Sequence, residues 1–345
     1  MRTVGRVSFA IVASLLLTAV MSAGAEVVPG RLKGGVNYAL PTWFKPSFLN
    51  FQEEAQDAGR QGKHLMVFVH LEQCPYCDRM LKENFVSGDT RDFADKHFDA
   101  IGVNMRGTVE AVWIDGTTYT ERSLSRHLKV TATPTIVFLD PGGKKVLQLT
   151  GYRDPRSLRL ALDYVQSKRY LNQPFSSYLA ERKQASLDLP ALYVLRDHPQ
   201  FATTTNFKHY QKPLAILFED RRCAECARFH DKTLNHPDVL AEMKEFHFVR
   251  LDAGSTEPVT DLDGNITTPA QWVNTLGLTY RPAVVLFNRG KEVFRVDARL
   301  YHFHFKEMLR YVSGGHDTGP DAFSRYNAAR RSELLQQGIS IDYAE

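Results

Sequence analysis

The chain has four cysteines in 345 residues, and they form two C-x-x-C pairs: Cys74 and Cys77 in EQCPYCDRM, Cys223 and Cys226 in RRCAECARF. Cysteines spaced in this way can cycle between dithiol and disulfide, supply half of a tetrahedral zinc site, or form an inert link. The ring closed by such a disulfide is very small and stabilises little through loop closure. Strained disulfides also tend to be the labile, catalytic ones. One zinc bridging all four cysteines would need both helix ends face to face. Redox exchange is therefore the favoured reading for both pairs, and no metal is expected. For the second pair a docking or structural role stays open.

Local context adds to the chemistry. An apolar, strand-like run ends just before each pair: KHLMVFVH (63–70) and KPLAILFED (212–220). A helical pattern starts within each: PYCDRMLKENF (75–85), with Met80, Leu81 and Phe85 on one side, and CARFHDKTL (226–234). A cysteine between strand end and helix start sits among unpaired backbone N–H groups at the positive end of the helix dipole. Both favour thiolate, the nucleophile of disulfide exchange. Cys74 and Cys223 are expected to be the exposed attackers. Cys77 and Cys226, within the first helical turn, resolve the mixed disulfide.

The elements that must position these thiols occur twice in one order. After the first pair come FDAIGVNM (98–105), a strand, and YTERSLSRHLKV (119–130), a helix. TATPTIVFLDPGGKKVLQLTG (131–151) reads as strand, turn, strand, and DPRSLRLALDYVQ (154–166) as a helix with Asp at its cap. FHFVRLDAG (246–254), TPAQWVNTLGL (268–278), RPAVVLFNRGKEVFRVD (281–297) and FHFKEMLRYV (303–312) follow the second pair in the same way. Cys74 precedes Asp115–Gly116 by 41 residues and Pro134 by 60; Cys223 precedes Asp263–Gly264 by 40 and Pro282 by 59. Register held over these landmarks marks an internal repeat, which explains the 149-residue offset between the pairs. Strands and helices that alternate and then end in a hairpin predict an α/β sheet of mixed direction. Thr133-Pro134 and Arg281-Pro282 each precede a buried strand, where proline marks a turn or strand entry and can be cis.

The ends and the composition bound the setting. Arg2 and Arg6, the apolar run FAIVASLLLTAVM (9–21) and the small residues AGA (23–25) have the layout of a cleaved secretory signal. The apolar run is shorter than the roughly 20 residues that span a bilayer. Removal of the signal takes the net charge from +4 to +2, which is no electrostatic footprint for nucleic acid. Export would place the cysteines where disulfides persist. The expected organisation is a signal peptide over 1–25, a lead segment with a helix over 26–62, a first module over 63–167, a helical connector over 168–211, a second module over 212–315 and a helical tail over 316–345.

The strand–CPYC–helix block, with TPTIVFLD some sixty residues later, resembles the thioredoxin superfamily. LMVFVHLEQCPYCDRM and GYRDPRSLRLALDYV resemble the periplasmic thioredoxins of bacterial sulfur oxidation, the SoxW type. The resemblance covers about 63–166 strongly and about 210–313 more weakly. It implies two tandem thioredoxin-like folds, each a central mixed β-sheet flanked by helices, in a thiol–disulfide oxidoreductase without cofactor. It also implies cis prolines at Pro134 and Pro282 that lie against the active disulfides. With Thr133, Arg281, Pro75 and Tyr76 they would bind substrate. Protein or small-molecule disulfides are the substrates so implied, with an electron donor in the membrane if the enzyme reduces, and the chain is expected to be a monomer. The pattern departs from cytosolic thioredoxins six residues before each first cysteine. There Phe68 and Leu217 replace a buried acid, so no general base is identified. The rival reading is a thioredoxin-fold binding module, chaperone or metal-binding protein whose second domain is redox-inactive.

Several residues carry blander expectations. Glu225 would raise the thiol pKa of its neighbours, while Arg221 and Arg222 push the other way, and the sequence does not give the sign of the sum. Arg281 is bulkier than Thr133 and suggests a narrower site. His302 and His304, two apart near a helix start, do not share a face and are expected to be surface or cap residues. His230 lies on the helix face of Cys226, with a surface role favoured over tuning of the thiol. DLDGN (261–265) is expected to be a plain turn, and Trp43, Trp113 and Trp272 to be core or edge packing.

Overall fold

The computed structural model describes residues 28–184, 194–208, 210, 212–221, 223–316, 319 and 322–344. The expected signal peptide, Arg222, and Leu192 and Tyr193 of the connector lie outside the described residues. No described helix is long and apolar enough to cross a membrane.

The first module follows a lead that holds β1 (Leu32–Lys33) and α1 (Phe51–Arg60), the latter capped by Asn50. Its elements are β2 (His64–His70), α2 (Pro75–Asn84), α3 (Asp89–His97), β3 (Phe98–Asn104), the hairpin β4 (Glu110–Val112) and β5 (Thr118–Thr120), α4 (Glu121–His127), β6 (Thr135–Leu139), β7 (Lys145–Thr150) and α5 (Pro155–Gln166). The main sheet runs β3-β2-β6-β7, with β2 parallel to β3 and antiparallel to β6. Residues 64–69 of β2 are all buried, as a central strand with both faces covered requires. Met66 and Phe68 face a core with Met80 and Leu81 of α2 and Leu158 and Leu162 of α5. Leu65, Val67 and Val69 face the other side, toward Phe51 of α1 and Leu124 of α4. Each such side chain contributes ~1.5–3 kcal/mol on burial. This two-sided packing fixes the end of β2, and with it the start of α2.

A connector with α6 (Phe175–Gln184) leads to the second module. There β8 (Leu214–Glu219), α7 (Ala224–Phe229), α8 (Pro237–Met243), β9 (His247–Asp252), the hairpin β10 (Val259–Thr260) and β11 (Ile266–Thr267), α9 (Pro269–Thr275), β12 (Ala283–Asn288), β13 (Lys291–Val296) and α10 (His302–Ser313) repeat the order. The sheet runs β13-β12-β8-β9. Its central strand β8 splits the same way: Ala215 and Leu217 toward Phe229, Phe305 and Leu309, and Ile216 and Phe218 toward Trp272. The two Asp-Gly landmarks fall in the hairpin turns β4–β5 and β10–β11, where Gly116 and Gly264 have φ of 79° and 90°. DLDGN is thus a turn, held by the Asp261 side chain accepting from the backbone N–H groups of Asp263 and Asn265.

The tail forms α11 (Ala322–Gln336) and β14 (Ile341–Asp342). β14 pairs in parallel with β1, Leu32 opposite Ile341 and Lys33 opposite Asp342. This clasp joins the lead of the first module to the tail behind the second.

Candidate functional site: two C-x-x-C pairs on facing modules

Cys74 is the N-cap of α2 and Cys223 the N-cap of α7. Both have extended backbone, and both sulfurs accept from the backbone three residues on: Cys77 N–H to Cys74 Sγ at 3.1 Å, Cys226 N–H to Cys223 Sγ at 2.9 Å. Pro75 occupies the first helical position of α2, where its missing N–H removes no helical bond. Each pair forms a disulfide with a Cα–Cα distance of 5.2 Å. All four sulfurs therefore sit where a helix N-terminus favours thiolate once the bond opens.

The expected exposed attackers are instead nearly covered. Cys74 and Cys223 are each 6% exposed, and their partners are fully buried. Within each pair the first cysteine remains the more accessible one. Leu195 of the connector packs on the second pair, and Tyr38 and Tyr76 pack on the core that includes the first.

Both X-Pro bonds, Thr133-Pro134 and Arg281-Pro282, are cis. Thr133 stands beside the first pair, its Oγ1 at 3.5 Å from Cys74 Sγ. Arg281 is buried and donates to the Tyr280 carbonyl at 2.6 Å, and burial pushes its guanidinium pKa down despite Asp220 and Asp297 nearby. Phe68 and Leu217 are wholly buried, as apolar core residues.

Two histidines depart from expectation. His230 is 2% exposed and bonds through Nε2 to the carboxylate of Glu219 at 3.0 Å, rather than lying on the helix surface. The helix widens to a π-turn over His230–Leu234, and this turn carries the ring inward beside Phe201. His304 is an inter-module residue, not a free surface or cap histidine. Its Nδ1 lies 3.4 Å from Tyr76 Oη, and burial, with His302 adding, pushes it down to about 4. His302 points elsewhere and stacks on His236 at 3.9 Å, so the two rings indeed do not share a face.

Periodicity gave no sign that the two pairs would lie on faces packed against one another. Tyr76 Oη accepts the Tyr301 backbone N–H at 2.7 Å, with the two rings 4.5 Å apart. Glu225, between the second pair of cysteines, accepts from Arg79 at 2.8 Å and from Arg299 at 2.8 Å, and also pairs with Arg228. Burial alone would raise the Glu225 pKa. Hydrogen bonds and charge from Arg79, then Arg299, outweigh it and hold the carboxyl at about 2. Glu225 is thus an anion at any ordinary pH, enclosed by cations. Arg221 pairs loosely with Asp252 at 3.7 Å. Tyr280 donates to Asp154 at 2.9 Å, and Arg153 meets Asp297 at 3.3 Å. The one signal in the sequence is the third position of each motif, where Tyr76 and Glu225 place large polar side chains between the paired cysteines.

The profile of the thioredoxin-like domain family matches twice, over residues 51–166 and 201–313. No curated protein matches the chain. Among solved structures, a thioredoxin-fold protein from Helicobacter pylori is 24% identical over 36% of this chain and 81% of its own, with a TM-score of 0.32. A thioredoxin from Thermus thermophilus is 26% identical over 34% and 83%, with a TM-score of 0.28. A protein disulfide oxidoreductase from Aeropyrum pernix is 14% identical over 80% and 99%, with a TM-score of 0.23.

Proposed function

The chain belongs to the thioredoxin-like domain family, and from that premise we propose that it is an exported thiol–disulfide oxidoreductase that reduces disulfides through Cys74 and Cys77. The observation that carries the reading is the placement of each C-x-x-C at a helix N-terminus within disulfide geometry, with the first sulfur already accepting a backbone N–H.

In the reductive direction the Cys74 thiolate attacks one sulfur of a substrate disulfide. The S–S bond breaks, the other substrate sulfur leaves as thiolate, and a Cys74–substrate disulfide forms. Cys77, as thiolate, then attacks Cys74 Sγ and expels the second substrate thiolate. Two protons from solvent and the Cys77 thiol complete the substrate dithiol, and the Cys74–Cys77 pair carries the oxidation. A dithiol donor, placed by this reading in the membrane, returns the electron pair. Thr133 and the cis Pro134, beside Cys74, would hold the substrate backbone, with Pro75 and Tyr76 on the flank. Cys223 and Cys226 repeat the chemistry as a relay or separate site, flanked by Arg281 and Pro282. The signal-like start supports export, and the sequence around CPYC supports a sulfur-oxidation setting.

Exchange activity of Cys74→Ser and Cys223→Ser variants on a disulfide-bonded protein tests this. Cys74→Ser is expected to abolish reduction of that substrate, and activity that survives loss of both cysteines overturns the reading. The reduction potential of each pair, taken on variants that keep one pair, sets the direction. A value near about −270 mV for the first pair places it with reductants, and one near about −120 mV with oxidants.

A further inference from the structure

The two C-x-x-C motifs each contact the other module, through Tyr76 and Glu225. In each module the surface around the pair consists of the C-x-x-C motif, the loop before the cis proline and the loop before the last helix. The motif helix and the loop before the last helix contact the other module from both sides, and the loop before the cis proline does so from the second module. Tyr76 reaches Tyr301, Arg79 reaches Glu225, Tyr280 reaches Asp154 and Arg153 reaches Asp297.

The contacts follow the repeat. Gly151 lies four residues before Pro155, the first residue of α5, and Ala298 four before His302, the first of α10. These equivalent residues meet: a Cβ on Gly151 would stand 2.7 Å from the Cβ of Ala298. The N-cap residues Asp154 and Tyr301 are also equivalent, and each meets a tyrosine of the other module, Tyr280 from the loop before the cis proline and Tyr76 from the motif. Tyr76 and Glu225 hold the same motif position. Two like faces therefore meet about an approximate twofold axis near Gly151 and Ala298.

We propose that this is a closed resting state, in which each module fills the disulfide-exchange face of the other and a protein disulfide reaches Cys74 or Cys223 only after the modules part. The contact chemistry fits a reversible interface. It is made of tyrosine hydroxyls, arginines and carboxylates, the make-up of interfaces that open, and not a continuous apolar core. The tethers fit too. Beyond the connector, the ends are joined by a clasp of two residues from each strand, β1 and β14, and Tyr343 beside it packs on His304. The lead behind β1 runs past the first pair, where Tyr38 bonds to Leu71 and His70. Opening the clasp and parting the faces are thus neighbouring events. The consequence for substrates rests on the exchange reading, but the closure itself is measurable without any exchange.

The test is alkylation of the reduced full chain by a small maleimide and by a bulky polyethylene-glycol maleimide, with the rate at Cys74 and Cys223 read by mass. The comparison is the ratio of the two rates on an exposed thiol. In the wild-type chain the bulky reagent is expected to lag by about tenfold or more beyond that ratio, since an open fraction below a tenth scales the apparent rate by that fraction. Ala298→Arg, a wedge at the axis, is expected to return the ratio to that of an exposed thiol and to enlarge the particle in solution scattering. A wild-type ratio equal to that of an exposed thiol overturns the proposal. So does an unchanged ratio in a wedge variant whose circular dichroism is native. If the wedge does not fold, Tyr280→Phe combined with Asp297→Asn takes its place under the same criteria.

Discussion

Replacement of Glu225 by Gln is the sharpest test of the inter-module contact. The carboxylate is 4% exposed and sits among Arg79, Arg299 and Arg228. Its pKa falls from 4.5 to about 2 between a free side chain and the folded protein. At about 1.4 kcal/mol per unit, that displacement corresponds to roughly 3 kcal/mol of stability at neutral pH. Removing one member of a buried pair also leaves the others uncompensated, at a cost of about 3–5 kcal/mol. Gln keeps the shape and one acceptor, so the expected loss for Glu225→Gln is about 2–3 kcal/mol. The pH dependence distinguishes charge from shape. A carboxyl with a depressed pKa binds its proton first in the unfolded chain. Its contribution is therefore complete above about 4.5 and is lost as pH falls through about 2. Urea unfolding of both proteins between pH 7 and pH 2 reads this directly. The gap between wild type and Glu225→Gln should be full at neutral pH and close as the acid limit is approached. A gap below about 0.5 kcal/mol at pH 7, the scatter of an ordinary surface substitution, refutes the reasoning. A gap that stays constant down to the acid limit refutes it equally.

Two further outcomes are expected. Gly151→Ala places a Cβ against Ala298 at a residue with φ of 91°, so it should cost more than about 1 kcal/mol and raise amide exchange around residues 76–79; thermal unfolding with hydrogen exchange checks it. The imidazoles of His64 and His304 are pushed down from 6.5 to about 4 by burial, with Lys168 adding at His64 and His302 at His304. The unfolded chain thus takes up protons that the fold refuses, and stability should fall as pH drops from 6.5 toward 4, by roughly 1–3 kcal/mol for each histidine. His304→Gln should remove its share of that fall, as read from urea midpoints across the range, while the share from His64, which pairs with Tyr170 at the start of the connector, stays.

What the sequence makes legible here is local and periodic. The runs before each pair become β2 and β8 because an unbroken apolar stretch covers both faces of a central strand. Cys74 and Cys223 become N-caps because proline or a small residue follows at a strand–helix junction. Helices α3 and α8 escape the reading because each buries little: Ala94 in α3, Val239 and Met243 in α8. His230 and His304 are misread for a related reason. Helical spacing says which residues share a face, and nothing about what packs on that face. His230 also opens a π-turn, where the ordinary spacing fails. The contacts between modules are less legible still. Arg79 and Glu225 are 146 residues apart, and no period links them.

The divergence of the two copies has a physical reason at this interface. A face that meets its own copy about a twofold axis brings the residues beside the axis near their own equivalents. Were both motifs to carry Glu at the third position, Arg79 would face a carboxylate across the interface while its equivalent, Arg228, faced another. Two anions would then be enclosed close to the axis, each needing its own cations. The chain uses one. Glu225 gathers Arg79 from across the interface with Arg299 and Arg228 from its own module, and the equivalent place holds the neutral Tyr76, which needs only a hydroxyl partner and finds the Tyr301 N–H. Gly151 against Ala298 follows the same logic in shape, since two larger side chains could not meet where one Cβ already fills the gap. The repeat stays alike where each copy builds its own core, and differs where the copies touch.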